Sequence, residues 1–286
     1  MGKITLGLAN YIDEAVLTGG AWMGTLPLSN VQNRRLSRVA RSANALAAST
    51  KFDIALSKAR RVRCLALIVH NLSVSSTVRV LADDEASFAT PLYDSGAVAM
   101  WPSGTISDDL LEWEDDNFWL ATVSQEAVAG YQAPFIHLLP AAIPARYWRV
   151  EINDTANPDG WVHIGRVYIA DAWTPDYNLE YGNDLSFEDV SAVETSLASE
   201  EFFEARRKRR KFRFNLPRLS INEGYQQALD LERRAGTTGE VLVVADPDDV
   251  QNGVRRNFLG RISALSGLQH AAHNVMTKRF EIAEVL

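Results

Sequence analysis

The clearest alternation of apolar and polar positions in the chain lies in residues 146–174. Its first part has an apolar residue at every second position, the period of a strand with one buried face. These residues are Trp148, Val150 and Ile152. The connection 153–160 is rich in Asn, Asp, Pro and Gly, which favour turns. A second strand is expected over 161–169, where Gly165 is typical of a bulge. Two strands cannot bury an apolar face alone, so we expect a larger sheet around them.

The preceding part of the chain supplies further strands for that sheet. Residues 52–56 alternate and predict a strand, and the basic stretch 58–61 predicts a turn after it. Residues 62–70 are almost all apolar, which indicates a central strand covered on both faces. Alternation returns over 77–82 and predicts one more strand.

The second half of the chain has a different order of elements. Residues 211–216 alternate aromatic or aliphatic with basic or amide side chains, which predicts a strand with a basic outer face. Ser220 and Glu223 have the spacing of a capping box, so a helix is expected from there to about Ala235, with Gly236 as its stop. Three further strands are expected over 241–245, 256–265 and 278–286.

Six segments of the first half occur in the order seen in galactose-binding-like (discoidin-like) jelly rolls. They read LSNVQNRRLSRVARS, KFDIAL, ARRVRCLALIVHNLS, TVRVLADD, ARYWRVEIND and WVHIGRVYIAD. The HNLS ending and the RVARS opening make the chain resemble the version of this fold in tailed-bacteriophage tail proteins. The resemblance covers roughly residues 25–173.

Residues 200–286 resemble the β-rich, ring-forming domain of phage distal-tail and tail-tube proteins. There too a basic-aromatic strand, one short helix, a VLVV-type strand and a FLGRI-type strand follow in succession. The two resemblances imply a mainly β protein. An N-terminal jelly-roll β-sandwich with an N-terminal arm would occupy 1–174, and a β-rich domain with one helix would occupy 175–286.

What the resemblance implies about function is structural and not enzymatic. The resemblance implies that the protein is a structural component of the virion, in a phage tail tip or baseplate, and that it is assembled in the host cytoplasm. Its partners would be copies of itself in a ring and other tail proteins. The jelly roll would make protein contacts or contacts with a host surface glycan. Two alternatives remain open from the residues: a lectin-like carbohydrate-binding module or adhesin, and a nucleic-acid-binding protein.

Composition excludes few of these functional hypotheses. The 286 residues carry a net charge of −7, with no apolar run long enough to span a bilayer and no recognisable secretory signal. The single cysteine, Cys64, lies in an apolar run and is expected to be a small buried hydrophobe. Charge is segregated: residues 80–145 hold eleven acids and no base, and residues 176–204 hold nine acids and no base. Such segregation indicates surfaces that meet oppositely charged partners.

No pattern of catalytic or metal-binding residues stands out. The motifs GxSxG, HExxH and GxGxxG and the phosphate-binding P-loop are absent from the sequence. The histidines lack zinc-ligand spacing and are expected at the surface. They are His70, His137, His163, His270 and His273. Acidic residues within 108–116 suit either a structural calcium ion or, more simply, a solvated loop. They are Asp108, Asp109, Glu112, Glu114, Asp115 and Asp116. We therefore expect no cofactor beyond that calcium.

Two sets of side chains are candidates for binding. Trp101, Trp113 and Trp161 lie in loop-like contexts, where they could stack on sugars or be buried in the core or an interface. The second set is an unbroken basic run that could contact nucleic-acid phosphates. We favour an electrostatic seam with the acidic segment 176–204, within the chain or between neighbouring copies. The run consists of Arg206, Arg207, Lys208, Arg209, Arg210 and Lys211.

Overall fold

The computed structural model describes residues 2–101, 133–196 and 199–286. It is mainly β, and its contacts divide it into two compact units. The jelly-roll unit comprises Met1–Gly2, Asn10–Ala172 and Val244–Asn257. The C-terminal unit comprises Lys3–Ala9, Trp173–Val243 and Phe258–Leu286. The main break lies near the expected boundary at 174, and in addition Lys3–Ala9 belongs to the C-terminal unit and Val244–Asn257 to the jelly-roll unit.

The bounds of the elements, in chain order, are as follows. Strands β1 to β18 are Thr5–Gly7, Val16–Thr18, Ala40–Arg41, Phe52–His70, Thr77–Asp83, Tyr93–Asp94, Val98–Ala99, Phe135–Asn153, His163–Ala170, Ala172–Trp173, Asp184–Glu188, Ala192–Thr195, Glu201–Glu204, Arg209–Leu219, Glu240–Val244, Phe258–Ala264, Leu268–Ala272 and Val275–Glu284. Helices α1 to α4 are Ala47–Thr50, Ile221–Glu223, Asp230–Ala235 and Gly253–Arg256. Single 3₁₀ turns occupy Ile12–Glu14 and Leu28–Gln32, and a π-helical segment, Gly224–Leu229, joins α2 to α3.

The jelly-roll unit is a β-sandwich built on two long strands. Its strand order is β3-β9-β4-β8-β5-β6, with β2 paired to β4 and β7 to β5. Strands β4 and β8 have 19 residues each and pair with one another along most of their length. Their register shifts between Ala55 and Arg60, and an irregularity of this kind bends a strand. The turn predicted over 58–61 is therefore wrong: these exposed basic residues lie inside β4 at its irregular point.

The two strands of the 146–174 stretch are both present, as β8 and β9. They do not pair with each other, because β4 lies between them. The predicted buried face is confirmed: Trp148, Val150 and Ile152 are all fully buried in the apolar core. Burial of side chains this large is the main favourable term in the stability of the sandwich.

Gly165 has a role other than the bulge predicted for it. The pairing of β4 with β9 runs past it without a register shift. A Cβ atom at this position would lie 2.8 Å from the carbonyl oxygen of Leu36 and 2.9 Å from Cβ of Val69. Glycine is thus needed because other parts of the chain pack directly against the backbone.

The C-terminal unit is a second sheet with one helical segment. Its strand order is β10-β1-β15-β16-β18-β14-β11, with β17 paired to β18. The predicted capping box is confirmed: Ser220 accepts a hydrogen bond from the backbone N–H of Glu223, whose side chain bonds back to Ser220. The helix ends at Gly236, whose φ of 53° suits glycine.

The sequence predicts that Tyr225, Ala228, Leu229 and Glu232 share one face of this helix, and the structure buries two of these four side chains. Ala228, Leu231 and Glu232 are buried, whereas Tyr225 and Leu229 remain largely exposed. The π-helical segment explains the difference, since its wider turn changes the phase with which later residues face the sheet.

Strands β12 and β13 form a separate two-stranded hairpin. Their residues pair from Ala192 with Glu204 to Thr195 with Glu201. Within the described part of the chain, neither strand joins the two larger sheets. Nearly every residue of the hairpin is exposed.

Candidate functional site

Two connections meet at one end of the jelly-roll unit. Residues 71–76 follow β4 and residues 154–162 follow β8, and the strand ends lie together because Thr77 pairs with Asn153 and His70 with Ile164. We call this region the loop end. It carries a cluster of polar side chains around Trp161.

The connection 154–162 is fixed from inside by a buried carboxylate. Asp154 accepts hydrogen bonds from the backbone N–H and the hydroxyl of Ser73, and from Nδ2 of Asn157 at 2.7 Å. The same Asn157 nitrogen donates to the carbonyl oxygen of Asn71 at 2.9 Å. Because each of these buried polar groups has a partner, the two connections hold one another in place.

Asn71 ties this network to the surface. Its Nδ2 donates to Oδ2 of Asp159 at 2.8 Å and to the carbonyl oxygen of Trp161 at 3.0 Å. Its Oδ1 accepts the backbone N–H of His163 at 2.8 Å. The backbone from Trp161 to His163 is therefore held in place by Asn71, and a fixed backbone is a requirement for a pre-organised binding site.

Arg41 lies over the indole ring of Trp161, with its Cζ atom 3.5 Å from the ring centroid. The guanidinium is held there by a cation–π contact. Its Nε atom is buried and has no hydrogen-bond partner. Within the described ranges the side chain also has no carboxylate partner. Arg41 is opposite His163 in the pairing of β3 with β9.

Two imidazoles at the loop end are held in the neutral form. Burial lowers the pKa of His163, and the nearby charge of Arg41 lowers it further although Asp159 opposes the shift. Burial also lowers the pKa of His70 to about 4. Nδ1 of His70 accepts the N–H of Leu72 at 3.3 Å. His70 is thus not the surface residue predicted.

A groove of about 450 Å³ occupies the same unit beside α1. Lys51 and Asn153 are exposed at its rim, and Arg79 lies in its wall, where it forms a pair with Asp94 at 2.6 Å and a longer pair with Glu151 at 3.4 Å. Its remaining lining is mostly alanine and threonine, so it offers few groups that could orient a ligand.

The structure describes two of the three tryptophans predicted as a set, Trp101 and Trp161. Trp101 is 4% exposed and belongs to the apolar core, so its ring has no face for a sugar. Trp113 and the acidic residues of 108–116 lie outside the described residues. Of the two described tryptophans, Trp161 is the one that a ligand could contact, because it is half-buried at the loop end.

The basic run of the C-terminal unit has carboxylate partners within the chain. Arg209 pairs with Glu188 at 2.6 Å, and Lys211 pairs with Glu281 at 2.6 Å. The remaining pairs join Arg206 to Glu204, Lys208 to Asp189 and Arg210 to Glu284. Most of these acids come from residues 176–204, so much of the charge in the run is neutralised internally. A seam between neighbouring copies stays a prediction.

Other sites considered from the sequence give no assembled chemistry. No group of three His, Cys, Asp or Glu side chains within 2–101, 133–196 and 199–286 is placed to hold a metal ion. Cys64 is buried, and burial raises the pKa of its thiol to about 12. None of the helices in the described ranges is long and apolar enough to cross a membrane.

The sequence analysis names Trp161 as a candidate but does not name the residues that the structure places around it. Arg41 comes from strand β3, whereas Asn71 and Asp159 come from two separate connections, and no local pattern in the sequence joins the three. The abundance of Asn and Asp in 153–160 indicated a turn, and the structure shows that the same residues also bind the neighbouring connection.

No protein-family model matches the chain, and no curated protein sequence matches it. Several solved structures resemble part of this chain. One is CBM32-1 from a family 31 glycoside hydrolase of Clostridium perfringens, at 11% identity and a TM-score of 0.39, covering 57% of this chain and 97% of that one. Another is the family 32 CBM of C. perfringens NanJ in complex with galactose, at 13% identity and a TM-score of 0.38, covering 58% and 98%. A third is the lectin binding domain of Lectinolysin complexed with Lewis b, at 13% identity and a TM-score of 0.36, covering 57% and 95%. None of these three is a phage tail protein, and nothing about the ligand of this chain follows from likeness at this level.

Proposed function

We propose that the jelly-roll unit binds a carbohydrate at the loop end around Trp161. The contact between Arg41 and Trp161 carries this proposal. A sugar ring has apolar C–H faces and a rim of hydroxyl groups. An indole ring packs against the former, and guanidinium and imidazole nitrogens hydrogen-bond to the latter.

The state of the neighbouring side chains supports the same function. His163 is neutral near pH 7, so its ring can offer both a donor and an acceptor to sugar hydroxyls. The guanidinium of Arg41 makes no hydrogen bond to the residues that the structure describes, and Asn71 fixes the backbone from Trp161 to His163. A rigid site loses little entropy on binding, which favours even a small ligand.

The test is binding of the full chain to a glycan array, followed by calorimetry on the glycans that bind. Trp161→Ala should abolish the signal while the circular dichroism spectrum is retained. Leu92→Ala removes an exposed side chain of the same unit, 55% accessible, and should leave binding unchanged. Absence of any glycan ligand, or equal binding by Trp161→Ala, would overturn the proposal.

We propose as a second function that the C-terminal unit assembles with copies of itself, as the resemblance of residues 200–286 to ring-forming tail domains implies. One observation favours it. The β12–β13 hairpin exposes Val193, Phe202 and Phe203 to 56%, 59% and 70%. Exposed apolar surface of this kind marks interaction sites, and a two-stranded hairpin is marginally stable without a further partner.

In this second proposal the chain is a structural component of a phage tail tip or baseplate, with other tail proteins as neighbours. A ring requires one interface repeated around an axis, so each copy would present the hairpin to a different surface of the next copy. The sheet edge at β11 is a candidate surface, because Phe187 on that strand is 60% exposed.

Sedimentation velocity over a wide concentration range, together with negative-stain imaging, tests assembly. The unmodified chain should form a species larger than a monomer, and Phe202→Ser with Phe203→Ser should return it to a monomer. Tyr225→Ser changes an exposed ring on the helix and serves as the control. A chain that stays monomeric at high concentration and low salt would contradict self-assembly.

A further inference from the structure

We infer that the saccharide bound at the loop end is acidic and that Arg41 takes its negative charge. This inference rests on the proposed carbohydrate binding and names the class of ligand. It starts from the surroundings of Arg41, which differ from those of three other arginines of the jelly-roll unit. Arg79, Arg149 and Arg166 each have a carboxylate partner, at 2.6, 2.7 and 2.6 Å respectively. Arg41 has none in the described part of the chain.

The position of Arg41 is fixed although its charge is not neutralised. The contact with Trp161 holds the guanidinium over the indole ring. Its buried Nε makes no hydrogen bond, so a strong donor is left unsatisfied at the site. The terminal nitrogens of the guanidinium also make no hydrogen bond to the described residues, and they are the donors that an acceptor on a ligand can reach.

The nearest carboxylate at the loop end does not meet this need. Asp159 accepts a hydrogen bond from Asn71 at 2.8 Å and forms no ion pair with Arg41. The uncharged imidazole of His163 also leaves Arg41 as the cation of the cluster.

A carboxylate suits Arg41 better than a hydroxyl does. A guanidinium presents parallel N–H donors whose spacing matches the two oxygens of a carboxylate, and such charge-assisted pairs are about twice as strong as neutral hydrogen bonds. A hexuronate or a sialic acid carries both a carboxylate and the C–H faces that an indole ring can contact. The ligand class is therefore an acidic sugar, read by Arg41 for its charge and by Trp161 for its ring.

The experiment compares matched saccharides that differ in the acid group. The full chain would be titrated with pairs of homotrisaccharides, one neutral and one acidic. The pairs are galactose against galacturonate, glucose against glucuronate and mannose against mannuronate, and lactose against sialyllactose is a fourth pair. In at least one pair the acidic member should bind roughly tenfold more tightly, because one charge-assisted pair contributes about that factor. The preference should fall as salt is raised.

The readout for Arg41 is the ratio of the two affinities within a pair. Arg41→Gln should bring this ratio close to one, and Arg41→Lys should restore part of it because the charge returns without the planar donors. Lys51→Gln removes an exposed cation at the groove of the same unit and should leave the ratio unchanged.

The outcomes separate the two levels of the proposal. Neutral and acidic members that bind equally, with binding lost in Trp161→Ala, would overturn the acidic ligand and leave carbohydrate binding standing. An acid preference that survives Arg41→Gln would also overturn the role of Arg41. Absence of binding to every saccharide would overturn both.

Discussion

The ammonium nitrogen of Lys278 lies 2.6 Å from a carboxylate oxygen of Glu232, and both side chains are almost completely removed from solvent. The pair joins the helix of the C-terminal unit to strand β18. Lys278 also donates to the carbonyl oxygen of Ser266, and the N–H of Ser266 donates to Glu232 at 3.3 Å. Every charge in this group thus has a partner inside the unit.

Lys278→Met is expected to lower the free energy of unfolding of the C-terminal unit by about 3–5 kcal/mol, because Glu232 would be left buried without a partner. Amide hydrogen exchange in strands β14 and β18 would report this loss locally. The double variant Lys278→Met with Glu232→Leu should recover most of it. Arg233→Ala breaks an exposed pair with Asp230 and should change stability by less than about 1 kcal/mol. A Lys278→Met chain as stable as the original would contradict the expected penalty.

The jelly-roll unit is expected to lose stability as the pH falls from about 6.5 to about 4. The pKa of His70 is lowered to about 4 in the folded chain by burial, against 6.5 for a free histidine. In that window the unfolded chain binds a proton that the folded chain does not, so acid favours unfolding. The effect of this one group at pH 5 is on the order of 1–2 kcal/mol.

Urea unfolding at pH 7 and pH 5 measures that difference. His70→Asn keeps an acceptor for the N–H of Leu72 and removes the titrating ring, so the difference should shrink. It should not vanish, because burial also lowers the pKa of His137 and of His163. His270→Asn, at an exposed position, is the matched control. An unchanged pH difference in His70→Asn would show that His70 does not cause it.

Gly165→Ala is expected to destabilise the jelly-roll unit by about 1–3 kcal/mol through overpacking. The added methyl group would lie 2.8 Å from the backbone oxygen of Leu36, which cannot move as easily as a side chain. Thermal unfolding measures the change. Gly24→Ala is the control, since a Cβ there has no neighbour within 4 Å. Equal melting temperatures for the two variants would show that the backbone contact is not as tight as described.

Ser220→Ala is expected to cost about 1 kcal/mol, the usual value of a helix N-cap. The hydroxyl accepts the N–H of Glu223 at 3.2 Å, and an alanine would leave that donor without a protein partner. Exchange rates of the amides at the start of α2 would rise. Ser220→Asp supplies another good cap and should retain most of the stability. Rapid exchange in both variants would indicate that the cap does not hold this helix.

Local patterns in the sequence predicted those elements whose signal is itself local. The alternation over 211–216 became β14, with Phe212, Phe214 and Leu216 buried. The capping box gave the first turn of the helix. In both cases the spacing of a few neighbouring residues contains the whole signal.

Features that depend on distant contacts were not accessible in this way. The exposed basic residues 58–61 resemble a turn by composition, and only pairing with β8 makes them part of a strand. Trp101 looks like a loop residue until the core that covers it is known. Arg41 is one of many arginines in the sequence, and its contact with Trp161 depends on the pairing of β3 with β9.

Strand β1 is contributed to the C-terminal unit by the opening residues of the chain, and it lies between β10 and β15 in that sheet. Cutting the polypeptide at residue 174 would consequently not give two self-sufficient halves. The later half would lack both β1 and β10, and β15 would become a bare edge on which foreign strands could add. A gene fragment that encodes the later half alone would therefore also have to encode residues Lys3–Ala9, for example in a circularly permuted chain.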